Sequence, residues 1–268
     1  MSKSLIPRIF HFTWKKESDL DNQFITLIDP KGEKKSLRWC INTFIEKNPD
    51  WQYKFWSDED VNKFILEEYP LFFNFWKELK TIEKFDIFRY MCLYKLGGAF
   101  IDVDCICVRP LNEFLDHFFP DANLIAGQEM EQSSNWINYP PHIQLNIWSI
   151  FSIKENYHLR NLISFIVGNC LTNPKMPVIE KTSMAAFGDY IYRAAKSDDK
   201  IKIVSTSFLS MDGRFKYMHQ NSFGTDDNLP AYILHGYYSS WIDDDFRKYA
   251  DIMNIRDSEL LYENTKSN

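Results

Sequence analysis

The sequence predicts an α/β fold with parallel strand pairing, because strand-like and helix-like segments alternate along its first half. A β-rich run, IPRIFHFTW, is followed by helical spacing in LRWCINTFIEKN and by an alternating run, WQYKFW. The 268 residues are 45% hydrophobic and 25% charged, a composition that supports one large core. Neither a repeat nor a linker divides the chain, so we expect a single domain over residues 1–268.

The expected elements of the first hundred residues have recognisable ends. The first helix begins at Leu37 and stops at Asn48-Pro49. Ser57, followed by three acidic residues, is the expected N-cap of the next helix. Two further helices are expected in LFFNFWKELK and EKFDIFRYMCLYKL, and Gly97-Gly98 caps the second. The strand AFIDVDCICV follows at once, and beyond it the pattern is looser.

Composition excludes several classes of protein. A net charge of −6 argues against nucleic-acid binding, which needs an excess of Lys and Arg. Five cysteines without a Cys-x-x-Cys pair favour neither a disulfide framework nor a zinc site, and fit a reducing compartment. Since no window approaches the ~18 apolar residues of a spanning helix, we expect no membrane span, no signal peptide and a cytoplasmic location, with peripheral membrane contact left open.

Two acids, Asp102 and Asp104, lie in the run AFIDVDCICV. In a strand, residues two apart point to the same side, and open α/β sheets bind ligands at the carboxyl ends of their strands. Two adjacent carboxylates repel unless a cation lies between them, and oxygen ligands select Mg²⁺ or Mn²⁺. The sequence therefore favours a divalent metal site, although Asp-x-Asp is also a common start of a loop.

The helix before this strand carries Asp86 and Arg89, which are three residues apart and so share one face. Because the helix feeds straight into the strand, that face is expected near the strand's end. The two residues, with Asp102 and Asp104, would then surround one small polar ligand. The alternative is an ordinary ion pair within the helix.

The run FDIFRYMCLYKLGGAFIDVD resembles the signature of the DXD-containing sugar-transferase family, family 32 of the glycosyltransferases. It is also similar to the same segment of the large clostridial glucosylating toxins. IPRIFHFTW resembles the family's opening strand, NPDWQYKFWSDED its second strand and turn, and ILHGYYSSW its closing element. The resemblance implies a GT-A type fold, a Rossmann-like mixed sheet flanked by helices. The donor-binding half would be about 1–110, and the acceptor side with the closing segment about 111–268.

The resemblance also implies the chemistry. The protein would be a retaining hexosyltransferase that uses Mn²⁺ or Mg²⁺ and a nucleotide-sugar donor, with a UDP-sugar favoured and GDP-mannose as the other option. The favoured acceptor is a lipid-linked glycan in capsule, O-antigen or other surface polysaccharide synthesis. A protein acceptor, as in the toxins, is the alternative within the same chemistry.

The resemblance also implies which residues form the site, by their positions in the matched motifs. By resemblance, Asp104 binds the metal directly, Asp102 contacts ribose, sugar or metal, and His235 completes the metal or pyrophosphate site. Asp86 and Arg89 hold hydroxyls of the donor sugar. His235 has the alternative of a satisfied buried histidine.

The nucleotide would lie against aromatic residues. By resemblance, Trp14 stacks on the nucleobase, with Phe12, Trp56 and Ser57 nearby, and Ser240 and Trp241 help His235 at the diphosphate. Trp14 and Trp56 have the alternative of core aromatics. The sequence departs from the family in its middle region, where KTSMAAFG at 181–188 stands in place of a Thr-Gly-Pro-like turn.

Two other classes of protein share part of this pattern. Haloacid-dehalogenase-like phosphatases also have a strand ending in Asp-x-Asp, whose first Asp is a nucleophile and second a general acid. They carry Thr or Val two residues later, where this chain has Ile106, although Asp243–Asp245 resembles their later acidic pair. A non-catalytic carbohydrate-binding module fits the aromatic content but not the clustered acids. The helix-Gly-Gly lead-in favours the transferase.

Overall fold

Helices and short strands alternate through the residues that the computed structural model describes, namely 3–26, 34–128, 145–209, 211–212 and 231–236. Short 3₁₀ helices lie at Glu17–Asn22 and Pro70–Phe72, and a π-helical turn at Phe114–Phe118. The strands and α-helices, in chain order, are β1 (Ile9–Thr13), β2 (Phe24–Thr26), β3 (Lys34–Ser36), α1 (Leu37–Lys47), β4 (Gln52–Trp56), α2 (Asp58–Glu68), α3 (Phe73–Glu78), α4 (Thr81–Leu96), β5 (Gly98–Ile101), β6 (Cys105–Cys107), α5 (Leu111–Glu113), β7 (Leu124–Gln128), β8 (Leu145–Ser152), α6 (Tyr157–Thr172), α7 (Val178–Lys181), α8 (Met184–Ala195), β9 (Ile201–Val204), α9 (Thr206–Leu209), β10 (Met211–Asp212) and β11 (Ile233–His235).

The main sheet has six strands within the described residues, in the order β4-β1-β5-β8-β7-β9. Strands β4, β1 and β5 are mutually parallel, whereas β8 runs antiparallel to both β5 and β7, and β9 is parallel to β7. The predicted α/β class, with parallel pairing in the first half and a Rossmann-like mixed sheet flanked by helices, is therefore confirmed. The carboxyl ends of β4, β1 and β5 meet at one edge.

Aromatic side chains pack on both faces of this sheet. On one face, Phe100 of β5 packs against Phe88 of α4. On the other, Phe10 of β1 stacks on Trp51 and meets Phe44 of α1 edge-on. These rings are almost fully buried. The high aromatic content thus serves the core, which fixes the sheet between two helical layers.

A second small sheet, β10-β11-β6, lies beyond β5. Strand β11 runs antiparallel to β6, with His235 opposite Cys105. The amide of Gly236 donates to the Asp104 carbonyl at 2.9 Å. This pairing brings residues more than 120 positions apart beside the end of β5.

The predicted strand AFIDVDCICV is two strands, which corrects the sequence-based prediction. Strand β5 ends at Ile101, and residues 102–104 form a turn in which the Cys105 amide donates to the Asp102 carbonyl at 3.0 Å. Asp102 and Asp104 therefore lie outside both strands and do not share a side of one strand, contrary to the prediction. The turn instead points Asp102 toward Arg89 and Asp104 toward His235, as described below.

Most predicted helix ends are confirmed. Helix α1 stops before Asn48, and Ser57 caps α2 in a capping box with Asp60. Helix α4 ends at Gly97, whose φ of 67° suits glycine. The expected helix at 71–80 is shorter, since a 3₁₀ turn precedes α3.

The described residues all lie within one compact unit, residues 1–237. A single domain across 1–268 stays a prediction. Within the described part of the chain, the helices are too short or too polar to cross a membrane.

Candidate functional site

Three residues lie where parallel strands end at one edge of the main sheet. Ser57 follows β4, Trp14 follows β1 and Asp102 follows β5. Thr13 and Trp56 are in register, and the Trp14 amide donates to the Trp56 carbonyl at 3.3 Å. The carboxyl edge of the parallel strands therefore gathers an aromatic residue, a hydroxyl and a carboxylate, as the crevice of an open α/β sheet does.

Arg89 and Asp102 form an ion pair at this edge. Nη2 of Arg89 lies 2.9 Å from Oδ1 of Asp102, and the arginine side chain is buried, with its guanidinium 5.2 Å from the Phe100 ring centroid. Among the described residues, its Nε and Nη1 have no hydrogen-bond partner. Burial raises the pKa of Asp102, while Arg89 opposes that shift. The guanidinium thus fixes Asp102 and keeps two further buried donors.

Asp86 lies one helical turn before Arg89 and is almost completely buried. The Thr182 hydroxyl donates to its Oδ2 at 2.9 Å. Burial raises the pKa of Asp86 to about 6, against the influence of Arg89, Thr182 and Ser183, which lower it. The carboxyl group is therefore mostly ionised at neutral pH, and able to accept a hydrogen bond from a ligand hydroxyl.

Asp104 contacts His235 on the other side of the turn. Nε2 of His235 lies 3.3 Å from Oδ2 of Asp104, and the imidazole stacks on the Trp148 indole with centroids 4.1 Å apart and planes 2° apart. Both Asp104 and His235 are buried. Asp104 also raises the pKa of Asp102, after the larger effect of burial, so the two acids interact electrostatically. The Asp104 carboxylate and the His235 imidazole are thus in contact, and Asp102 is near enough to interact with Asp104 electrostatically.

This donor set suits a divalent cation. Ligand atoms of Asp104, Cys105 and His235 all lie within 4.8 Å of one another. The Cys105 thiol donates to the Trp148 carbonyl at 3.7 Å, and burial raises its pKa well above the usual value, so it stays protonated. Carboxylate oxygen and neutral imidazole are ligands that Mn²⁺ accepts. Asp104 and His235, with Asp102 beside them, therefore fit Mn²⁺ or Mg²⁺.

Residues 34–119 match the model of the glycosyltransferase sugar-binding region containing a DXD motif. This segment is similar to the DXD-containing sugar-transferase family. The match covers β3 through the π-helical turn, and includes both the Arg89–Asp102 pair and the motif Asp102-Val103-Asp104. The resemblance to this family expected from the sequence is confirmed.

Two curated proteins with similar sequence come from yeasts. The chain is 34% identical over 113 residues to inositol phosphoceramide mannosyltransferase 3 of Schizosaccharomyces pombe, covering 42% of this chain and 28% of that protein. It is 37% identical over 112 residues to a mannosyl phosphorylinositol ceramide synthase of Saccharomyces cerevisiae, covering 41% and 26%. The matches thus span about a quarter of the length of these relatives.

Among solved structures, the PaToxG glycosyltransferase is similar, with a TM-score of 0.45 and 19% identity. The superposition covers 73% of this chain and 72% of that chain.

The other residues that the sequence predicts at the nucleotide lie partly in the core and partly at the strand edge. Phe12 is fully buried and meets Phe44 edge-on, and Trp56 is buried in the core between α2 and α4. Ser57 caps α2, and Trp14 is half-buried at the strand edge. Phe12 and Trp56 therefore pack the core that carries the edge, and stacking of a nucleobase on Trp14 stays a prediction.

Ser240 and Trp241, expected beside the diphosphate, lie outside the described residues. Their roles stay predictions.

The structure adds three residues that sequence reasoning missed. Thr182 contacts Asp86, Trp148 stacks on His235, and His11 accepts a hydrogen bond from Trp56 while its Nε2 donates to the Gly97 carbonyl at 2.9 Å. Only the segment KTSMAAFG gave a signal, since it replaces the family's usual turn. The other contacts join distant parts of the chain and leave no local pattern.

Proposed function

We propose that the protein is a metal-dependent, retaining glycosyltransferase that takes a hexose from a nucleotide-sugar donor. The observation that carries this proposal is the arrangement of the DXD acids, with Asp102 held by Arg89 and Asp104 against His235. The family match at 34–119 supports it, because that region is a sugar-binding one. An aromatic residue, Trp14, stands at the same strand edge for a nucleobase.

Asp104 and His235 would hold Mn²⁺ or Mg²⁺, with Asp102 beside them. When bound, the cation would neutralise charge that develops on the leaving diphosphate. His235 is held for this by its stack on Trp148, which fixes the ring plane. The Asp104 backbone is held by the Gly236 amide, which donates to its carbonyl.

Arg89 and Asp86 would bind the donor sugar. The free buried donors of Arg89 fit hydroxyl oxygens, and the ionised carboxylate of Asp86 fits a hydroxyl proton. For the retaining reaction we favour attack on the same face. The acceptor oxygen bonds to the anomeric carbon as the bond to the diphosphate oxygen breaks, and the diphosphate takes the acceptor's proton.

The donor and acceptor are proposed more broadly. A UDP-sugar is the favoured donor. GDP-mannose should be assayed beside it, because the names of both matched yeast proteins refer to mannosyl groups. We propose that the acceptor is a glycan on a lipid carrier, which is extended during surface polysaccharide synthesis. The reaction would take place in the cytoplasm. A protein acceptor is the alternative. Incubation with labelled sugar nucleotides and either lipid-linked glycan or lysate separates them, since label confined to lysate protein bands contradicts the glycan acceptor.

Thermal shift with a panel of nucleoside diphosphates, each with and without Mn²⁺, tests the activity class. A metal-dependent nucleotide site raises the melting temperature only when both are present, because ligand binding to the native state stabilises it. No shift with any nucleotide would leave the non-catalytic carbohydrate-binding module ahead. Release of phosphate from simple phosphate esters, without nucleotide binding, would favour the haloacid-dehalogenase-like phosphatase.

A further inference from the structure

The segment 181–183, between α7 and α8, is docked on one face of α4. Lys181 forms a buried ion pair with Glu83 at 2.7 Å, and its ammonium also donates to the Pro174 carbonyl at 2.7 Å. At the other end of the face, the Tyr90 hydroxyl donates to the Thr182 carbonyl at 3.2 Å. The helix residues involved are spaced by about one and two turns, so they form a single row.

Asp86 lies in the middle of this row. The Thr182 hydroxyl donates to Oδ2 of Asp86 at 2.9 Å, and Ser183, the next residue, helps to lower the pKa of the same carboxyl group against the larger effect of burial. Both residues are buried. The contacts on either side hold the Thr182 backbone in place, so the direction of its hydroxyl is fixed by the fold rather than by solvent.

We propose that Thr182 is a positioning residue of the donor-sugar subsite, which orients the Asp86 carboxylate toward a sugar hydroxyl. The proposal rests on the glycosyltransferase function proposed above. With Oδ2 engaged by Thr182, the carboxylate plane is set, and Oδ1 is left for the ligand. A segment far along the chain, in the half expected to serve the acceptor, thereby completes the donor site.

The contact has the features of positioning and not only of packing. A hydroxyl that donates to an ionised buried carboxylate is a charge-assisted hydrogen bond, which is directional. The anchoring of 181–183 is carried separately by the Lys181–Glu83 pair and by Tyr90. Loss of the Thr182 hydroxyl alone therefore leaves the segment docked while Asp86 loses its orienting partner.

The test compares Thr182→Val, which is close to isosteric and lacks the donor, with Thr182→Ser, which keeps it. Thr172→Val is the matched control, because the Thr172 hydroxyl is exposed and donates to the Gly168 carbonyl of its own helix. Three quantities are measured for each protein: kcat/KM for the sugar nucleotide, Kd for the free nucleoside diphosphate with Mn²⁺, and the melting temperature. Should Thr182→Val lower the melting temperature sharply, Thr182→Ala also removes the hydroxyl and places no methyl group in its position.

We expect Thr182→Val to lower kcat/KM by about 10- to 100-fold, the effect of losing one hydrogen bond to a charged group. The nucleoside diphosphate Kd should change by less than about twofold, since that ligand has no sugar. Thr182→Ser should restore most of the loss, and Thr172→Val should match the wild type. In an Asp86→Asn background, Thr182→Val should lower kcat/KM little further, because the two residues act through one contact.

Equal losses of kcat/KM and of nucleotide binding in Thr182→Val would overturn the proposal, as would an unchanged kcat/KM or a failure of serine to rescue. Failure of the underlying function is seen separately, in the wild type. If the wild type neither binds a nucleoside diphosphate with Mn²⁺ nor turns over a sugar nucleotide, the proposed glycosyltransferase function and the role of Thr182 are both contradicted.

Discussion

Nη2 of Arg89 lies 2.9 Å from Oδ1 of Asp102, and this contact joins α4 to the turn that follows β5. Burial by itself would lower the pKa of Arg89, yet Asp102 and Asp86 raise it overall, so the guanidinium stays charged. One cation thereby offsets two acids at the carboxyl edge of the sheet. The pair determines where the first acid of the DXD motif points.

Replacing Arg89 by Met should lower the free energy of unfolding by about 3 kcal/mol and abolish transfer, because it leaves Asp102 and Asp86 without their cation. Denaturant unfolding checks the stability, and turnover of the sugar nucleotide checks the activity. Arg193→Met is the control, since Arg193 is exposed and pairs with Asp189 on the surface of α8. We expect that change to cost less than about 1 kcal/mol. Similar losses for the two variants would show that the buried pair has no special role.

Much of the fold was predictable because its signals are local. The capping box at Ser57, the stop at Asn48 and the positive φ at Gly97 each follow from residues next to one another. The break between β5 and β6 was missed, since Val103 continues the apolar alternation and the turn holds neither glycine nor proline.

The site was predictable only in part. Asp86, Arg89, Asp102 and Asp104 lie in one stretch of 19 residues, where helix spacing and strand ends restrict their placement. The pairing of His235 with Cys105 and the contact of Thr182 with Asp86 depend on tertiary packing, and no local pattern encodes them.

Asp86→Ala should damage use of the sugar more than binding of the nucleoside diphosphate. The buried carboxylate has a hydroxyl partner in Thr182, and a sugar hydroxyl that loses its acceptor costs about 1–3 kcal/mol. Calorimetry with UDP and GDP, beside kcat/KM for the matching sugar nucleotides, separates the two effects. Equal losses in both would assign Asp86 to the scaffold.

His11 makes stability depend on pH. Burial, the largest cause, lowers the pKa of His11 from 6.5 to about 4, and the neutral ring donates from Nε2 to Gly97. Between about pH 4 and 6.5 the unfolded chain binds the extra proton, so this contribution to the free energy of unfolding is complete above pH 6.5 and lost as pH falls. His11→Gln should remove up to ~1.4 kcal/mol per pH unit from the slope in that window.

Asp86 makes the free energy of unfolding depend on pH in the opposite direction to His11, over an overlapping pH range. Its pKa is raised from 3.8 to about 6, so the folded state holds the extra proton and its contribution falls as pH rises from about 4 to 6. Asp86→Asn should therefore make the overall slope more positive, whereas His11→Gln makes it less so. Unfolding curves at half-unit steps from pH 4.5 to 7 measure both. Slopes that change in the same direction would contradict the two assignments.

Gly98→Ala should destabilise the chain by about 2–3 kcal/mol. Gly98 has a φ of 95°, and an added Cβ would lie 2.5 Å from the Ile9 carbonyl oxygen. Gly168→Ala is the matched control, because a Cβ there meets nothing within 4 Å and the residue lies inside α6. Since alanine favours the helix, Gly168→Ala should raise the free energy of unfolding by about 0.5–1 kcal/mol. Thermal unfolding with opposite shifts of the melting temperature is the expected result.

We propose that Asp104, the second DXD acid, binds a metal ion that in turn binds the nucleotide. Isothermal titration of UDP or GDP into the wild type and into Asp104→Asn, with and without Mn²⁺, tests it most directly. Asp199→Asn, at an exposed acid, controls for the change of charge. We expect the wild type and Asp199→Asn to bind only with Mn²⁺, and folded Asp104→Asn to lose that binding altogether. Binding that is equal in Asp104→Asn and the wild type, or that ignores Mn²⁺ in all three, would contradict the account.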